Sequence, residues 1–369
     1  MTRFHAVRCV PLSVPLHTPF VTALRRTETT DTLVVQVEDS DGHTGWGEAP
    51  QVWQVTGESL AGARACVEQL LAPLVVGRDV DDWQDVAGDL QRAVARNFGA
   101  KAALDVALHD LTARRGGIPL PELLAGAALP RSGMRVATDV TLAAGAADGL
   151  ATAARERVAD GFGVLKLKVG TDAATDVARV RAVREAVGDR VTLRLDANQG
   201  WSPHEAVEVI CALDEADLGV ELVEQPVRGE DVEGLAWVRA RVGLPIMADE
   251  ALYDAYDLER ILRLEAADLV NVKLAKCGSL TAGLALLRRA SEAGLGTMVG
   301  SMMETHIGLG AAASLVAAHP TSAVSDLDAA WWAAQSPVVG GLRYERAEVV
   351  LPDAPGLGID ALVQASGTG

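Results

Sequence analysis

Basic charge is scarce in this chain: 33 Lys and Arg stand against 50 Asp and Glu, a formal net charge of -17. Phosphate backbones and anionic membrane surfaces need clustered Lys and Arg, so neither nucleic acid nor a membrane is an expected partner. Cysteine is scarce as well. Cys9, Cys66, Cys211 and Cys277 are scattered with no C-x-x-C spacing, which excludes a zinc knuckle and a disulfide framework and suits a reducing cytoplasm. Long apolar runs are missing, and MTRFHAVRCVPLSVPL has no extended apolar core with a small-residue cleavage site, so export and membrane insertion are not expected. No low-complexity segment or flexible linker interrupts the chain. What remains is a sequence of 369 residues, 49% hydrophobic and 22% charged, rich enough in apolar surface to fold by burial and long enough for two domains or a barrel with additions.

The pattern changes along the chain. Residues 3–48 alternate in the manner of antiparallel strands, best seen in TLVVQVEDSDGHTGWGEAP, where Asp-Gly and other glycine turns separate β-branched runs. From Glu58 to about Ala125 the apolar spacing is helical, with Ala102, Leu104, Val106, Ala107 and Leu111 recurring. This predicts an α+β capping domain over 1–130. After Arg131 the rhythm is strand then helix through RVATDVTL, GVLKLKVG, VTLRLDAN, GVELVEQP, LPIMADEA, DLVNVKLA, GTMVGSMMET and SAVSDLD. Eight such units predict an α/β chain with a (β/α)8-type barrel over 131–331. The turn-rich segment 332–369 is expected to return to the capping domain.

Chemistry collects at the strand ends, which a parallel barrel gathers at one mouth however distant they are in sequence. Asp196, Glu224 and Asp249 each close an apolar strand. Three converging carboxylates repel unless a cation holds them, and oxygen-only ligands favour Mg²⁺, with Mn²⁺ the other candidate, over zinc. Each alone would read as a helix N-cap; three in consecutive units read as a metal site. Asn198 and Glu250 are expected to orient the ligands, Glu250 by pairing with a lysine. Lys166 and Lys168, two apart on one strand, share a face, and Lys273 comes from a strand across the barrel. A divalent cation and neighbouring ammonium groups would lower a lysine pKa toward the range of a general base. Lys166 has a second reading, simple neutralisation of the carboxylates. Lys276 is expected at the rim or on the following loop. A substrate carboxylate on the metal, one lysine removing the adjacent α-proton and a second returning it from the opposite face amount to epimerisation through an enediolate.

These residues resemble the enolase superfamily, in the muconate lactonizing enzyme subgroup with its Lys-x-Lys strand, Asp, Glu and Asp ligands and later lysine. The likeness covers essentially the whole chain. Within the subgroup, PFVTALRRTE, GWGEAP followed by VTGES, LDANQGW, NVKLAKCGS, GSMMET and the Asp-x-Asp of SDLD are most similar to dipeptide epimerases of the L-Ala-D/L-Glu type. The resemblance implies that Asp326 and Asp328 hold the ammonium group of a dipeptide, that Arg25 meets an acidic substrate side chain and that Glu304 supports the mouth near the substrate. It also implies a homo-oligomer acting on a small molecule. Trp53, Trp331, Trp332 and His306 depart from the pattern. Aromatic rings beside an acidic pair can box a cation, or can pack the capping domain on the barrel. The box would suit an alternative activity, dehydration or epimerisation of a cyclic amino acid such as a hydroxyproline. Racemisation of N-acylamino acids, o-succinylbenzoate synthesis and muconate cycloisomerisation are further alternatives; the last two give Asp326 and Asp328 no ammonium to bind.

Overall fold

The computed structural model describes residues 1–21, 26–130, 134–143 and 145–363. Three N-terminal strands, β1 (Phe4–Val21), β2 (Arg26–Asp39) and β3 (Thr44–Pro50), form an antiparallel sheet in that order. Both faces of β2 are used. Leu33, Val35 and Val37 point into one hydrophobic cluster while Val34 joins another, as the two-residue period of a strand dictates. The helix Phe98–Arg115 is buried on nearly every side and lies against β3, an approach that only glycine permits. A Cβ at Gly45 would stand 2.0 Å from the Ala107 carbonyl oxygen, and one at Gly47 would stand 1.8 Å from that of Ala103. The GWG of GWGEAP is therefore a docking surface for the helix.

Seven parallel strands follow in the order β11-β10-β9-β8-β7-β6-β5: β5 (Val140–Leu142), β6 (Val164–Lys168), β7 (Thr192–Asp196), β8 (Val220–Glu224), β9 (Ile246–Ala248), β10 (Leu269–Lys273) and β11 (Gly296–Gly300). Each crossover carries a helix, so one face of every strand is packed with Leu and Val such as Leu165, Leu195 and Val272. Residues of the opposite parity point inward. Leu222, Met247 and Met298 plug the interior, and the residues two further along, Glu224, Asp249 and Gly300, emerge at the mouth.

The count of eight ladder strands is corrected at both ends. RVATDVTL splits into β4 (Arg135–Ala137), which pairs antiparallel with the C-terminal strand Glu348–Val350, and β5. The switch occurs where Thr138 donates its N–H to Ala347 and Asp139 donates to Ser325. SAVSDLD forms no ladder. Ser325 bridges Thr138 on one side and Asp326 bridges Gly300 on the other; at Asp328 the backbone has already turned helical to begin the short helix Ala329–Trp332. The C-terminal segment reaches the capping helix, where Leu357 donates its N–H to Asp110, whose other oxygen accepts from Trp46. Among the described residues no helix is long and apolar enough to cross a membrane.

Candidate active site

Register sets the first half of the site. Lys168 pairs with Asp196 across β6 and β7, and Asp196 pairs with Glu224 across β7 and β8, so three charged side chains leave adjacent strands at one height. Asp249 lies one residue past β9 and Lys273 ends β10. Gly300, opposite Lys273 on β11, leaves room for it: a Cβ there would lie 2.8 Å from the Lys273 Cε.

Lys166 is fully buried, and its Nζ lies 3.0 Å from Asp196, 2.6 Å from Glu224 and 2.8 Å from Asp326. Three carboxylates match the three donors of an ammonium. Burial works against its charge, but these neighbours hold the Lys166 pKa well above the usual value. Lys168 and Lys273 have simpler surroundings. Lys168 meets Asp196 at 2.6 Å and Lys273 meets Asp249 at 2.8 Å. At Lys273 burial, and then the Lys166 ammonium, lower the pKa, yet the charges of Asp249, Glu224 and Asp326 together hold it above its ordinary range. The physical reason is that carboxylate charge here faces the lysines directly.

Burial pushes Asp196 and Asp249 upward, and the surrounding ammonium groups overcome it, leaving both below the ordinary carboxylate range. Glu224 is raised, with burial the leading cause. The three carboxylates belong to one mouth, Asp196 and Glu224 sharing Lys166 while Asp249 is drawn toward Lys273 and Lys276, and among the described residues only the group Asp39, Asp41 and His43 brings three ligand atoms within 4.8 Å of one another.

Asn198 contacts two of the carboxylates at the mouth. Its backbone N–H donates to Asp196 Oδ1 at 2.9 Å and its amide reaches Asp196 at 3.3 Å and Glu250 at 3.4 Å; its φ of +44° is one asparagine tolerates better than most residues. Among the described residues Glu250 forms no lysine pair. Its Oε2 has no hydrogen-bond partner among them, and burial, followed by the charges of Asp249 and Asp196, pushes its pKa up to about 8. Lys276 is not at the rim. It is completely buried and donates to the Asp249 carboxylate, the Asp249 carbonyl and the Asn271 carbonyl, because the chain turns into a short helix at Leu274–Cys277 and brings it back beneath the mouth.

Sequence reasoning missed Asn271 and Gln225. Asn271 donates its amide to Glu224 at 2.9 Å, and its position two before Lys273 was the available signal. Gln225 accepts from the backbone N–H groups of Asp249 and Ala251, a contact no spacing rule announces.

The second half of the site is Asp326 and Asp328. Both line a cavity of about 100 Å³ with Lys166, Lys168, Lys273 and Asp249, roofed by Val52, Val55 and Met302. Asp328 Oδ2 accepts from Thr141 N at 2.7 Å and Trp332 Nε1 at 3.0 Å; burial and then the Asp326 charge push its pKa up to about 6. Burial raises Asp326, but Lys166, Lys273 and Lys168 together hold it below its usual range. Glu304 does not line this cavity. It accepts from Met302 N beside Glu48, and burial with that neighbouring charge pushes it up to about 8. Arg25 lies outside the described residues.

The aromatic question resolves toward packing. Trp331 and Trp332 meet His17 of β1 at 5.0 and 5.3 Å between centroids, Phe162 lies 5.4 Å from Trp331, and the Arg157 guanidinium covers Trp331 at 4.8 Å. Trp53 is 58% exposed and, like buried His306, lines no part of the cavity.

A curled parallel sheet with lysines and carboxylates gathered at its C-terminal mouth, beneath an antiparallel sheet and helices, defines an enolase-type α/β protein. The chain belongs to the mandelate racemase and muconate lactonizing enzyme family of the enolase superfamily. Residues 149–365 match the family described as enolase C-terminal domain-like, and residues 5–125 match the mandelate racemase / muconate lactonizing enzyme N-terminal domain. The chain is 38% identical to the L-Ala-D/L-Glu epimerase of Bacillus subtilis, over 94% of each chain. It is 39% identical to the hydrophobic dipeptide epimerase of Enterococcus faecalis, over 94% of this chain and 96% of that one. A substrate-liganded structure of the Bacillus subtilis epimerase superposes with a TM-score of 0.93 at 36% identity, covering 98% and 99% of the two chains. The Enterococcus faecalis dipeptide epimerase complexed with Mg and L-Leu-L-Tyr gives 0.91 at 38% identity, covering 97% and 100%.

Proposed function

We propose that the chain is an isomerase, a metal-dependent epimerase of dipeptides that inverts the α-carbon of the C-terminal residue through an enediolate. The observation that carries this reading is the sharing of one cavity by Lys168, Lys273 and the acidic pair Asp326 and Asp328. Two lysines from strands on different sides of the mouth suit two-base inversion, and the acidic pair suits an ammonium group. Two named dipeptide epimerases at 38% and 39% identity support the same substrate class.

The donor set fits a hard divalent cation. Asp196, Glu224 and Asp249 are buried and offer oxygen only, and two of them already hold the ammonium of Lys166. Mg²⁺ bound by these three residues would supply positive charge beside the substrate carboxylate as the α-carbon loses its proton. Asn198 and Asn271 hold Asp196 and Glu224 in place. Lys166, saturated by carboxylates, fixes charge and leaves proton transfer to Lys168 and Lys273, one removing the α-proton and the other delivering a proton to the opposite face. Asp326 and Asp328 hold the substrate amine, and Val52, Val55 and Met302 exclude water above it.

We read the fold as a (β/α)8-type barrel completed by 325–326, supported by the two bridges of that segment. A capping unit over 1–130 with a returning 332–369 segment is supported by the contact of Leu357 with Asp110. The cyclic amino acid alternative loses its main support, since Trp331 and Trp332 are packed against His17 and Arg157. Incubation of L,L-dipeptides with Mg²⁺ in D₂O, followed by NMR, tests the proposal. Loss of the α-proton signal with appearance of the L,D epimer is expected, and release of water or ammonia would overturn it.

A further inference from the structure

The Asp328 carboxylate is anchored lopsidedly. Both of its hydrogen bonds, from Thr141 N and Trp332 Nε1, fall on Oδ2, while Oδ1 accepts none from the described residues and Asp328 lines the cavity. Its backbone is held by local contacts and not by a ladder: Leu327 N–H donates to Thr138 Oγ1, the Leu327 carbonyl accepts from the Tyr344 hydroxyl, and the Asp328 carbonyl accepts from Trp331 N–H. The nearest sheet contact is the single bridge at Asp326, and Asp328 itself has left the extended conformation. Trp332 is held firmly: it is buried, stacked on His17 at 23° between planes, set perpendicular to Trp331 and followed by the Ala334 N–H bond to Pro15.

We propose that Trp332 is a positioning residue for the substrate amine: its indole N–H fixes Asp328 Oδ2 so that Oδ1 is presented to the ammonium group. This rests on the dipeptide reading. A rigid neutral donor holding one oxygen of a carboxylate restricts the rotation that would otherwise turn the second oxygen away from the cavity. The aromatic stack thereby links the end of β1 to amine recognition without any ring touching the substrate.

The test compares the parent enzyme with Trp332→Phe, which keeps a stacking ring and loses the donor. Incorporation of β-(3-benzothienyl)alanine at position 332 serves as the shape-preserving partner, removing only the N–H. For a dipeptide with a free amine, KM should rise about tenfold in both variants, the scale of one lost hydrogen bond to a charged group, with a smaller change in kcat. The desamino analogue of the same dipeptide should inhibit all three proteins with equal Ki, because it presents nothing to Asp328. An unchanged KM in the benzothienyl protein would overturn the proposal, as would an equal rise in KM and in the Ki of the desamino analogue, which marks a general loss of packing. A parent enzyme that epimerises no dipeptide would instead overturn the functional reading beneath it.

Discussion

The two halves of the mouth are built differently. Lys168, Asp196 and Glu224 are paired directly across neighbouring strands, past a register shift at Leu193/Arg194, so their positions are dictated by backbone ladders. Asp326 and Asp328 leave a segment attached by single bridges, and their carboxylates are placed by Lys166, Thr141 and Trp332. A ladder fixes geometry whatever side chains surround it. A bridge leaves geometry to side chains, which substitution can change without disturbing the sheet. The proton-transfer half should therefore respond to mutation in an all-or-none manner, and the amine half by degrees.

The largest effect should come from the bases. Lys168→Ala or Lys273→Ala should lower the kcat for epimerisation by at least about 10³-fold, since a proton delivered to one face cannot substitute for one delivered to the other. Each single variant should still exchange the α-proton of one epimer in D₂O. Near-normal inversion in both variants would break the assignment, and loss of exchange for both epimers in a folded single variant would show that the two lysines act as one unit.

Next comes the cation. Exhaustive chelation should abolish turnover, and Asp196→Asn should weaken Mg²⁺ binding measured by calorimetry by about tenfold or more while the circular dichroism spectrum is retained. Turnover undiminished by chelation would end the metal reading.

This half was also the more legible in sequence, and the reason is physical. A strand has a period of two, so VLKLKVG and the Asp, Glu and Asp strand ends could be aligned at one mouth before any coordinates. Lys276 was misplaced and Asn271 and Gln225 were missed, because each acts through a turn or a lateral hydrogen bond that local spacing does not encode. The eighth strand was overcounted for a related reason. SAVSDLD has the composition of a strand end, yet the chain turns helical at Asp328, next to Trp331 and Trp332 packed on the distant His17.

On the amine half the effect should be graded. Asp328→Asn should raise KM for dipeptides with a free N-terminus by about ten- to a hundredfold, the loss of one charged partner at a buried site, with a smaller change in kcat. N-acetylated dipeptides should be poor substrates of the parent enzyme. Equal turnover of free and N-acylated substrates would shift the reading toward an N-acylamino acid racemase and dissolve the contrast between the two halves.

The smallest effect on turnover should come from Asp110, remote from both halves, where the capping helix meets Trp46 and Leu357. Burial, opposed in part by Arg114, pushes its pKa up to about 6. A carboxyl group whose pKa is higher in the folded than in the unfolded chain binds its proton more tightly when folded, so its stabilising contribution is full below the unfolded value near 4 and is lost as pH rises through about 6. Above that range it no longer varies. Linkage over about two pH units bounds the change at roughly 3 kcal/mol. Asp110→Asn should therefore flatten the decline in denaturant-measured stability between pH 4 and 6 while leaving kcat at neutral pH nearly unchanged. An identical pH slope in parent and variant would mean that the helix contacts keep Asp110 ionised throughout, and that the cap is tied to the C-terminal segment by charge and not by a protonated carboxyl group.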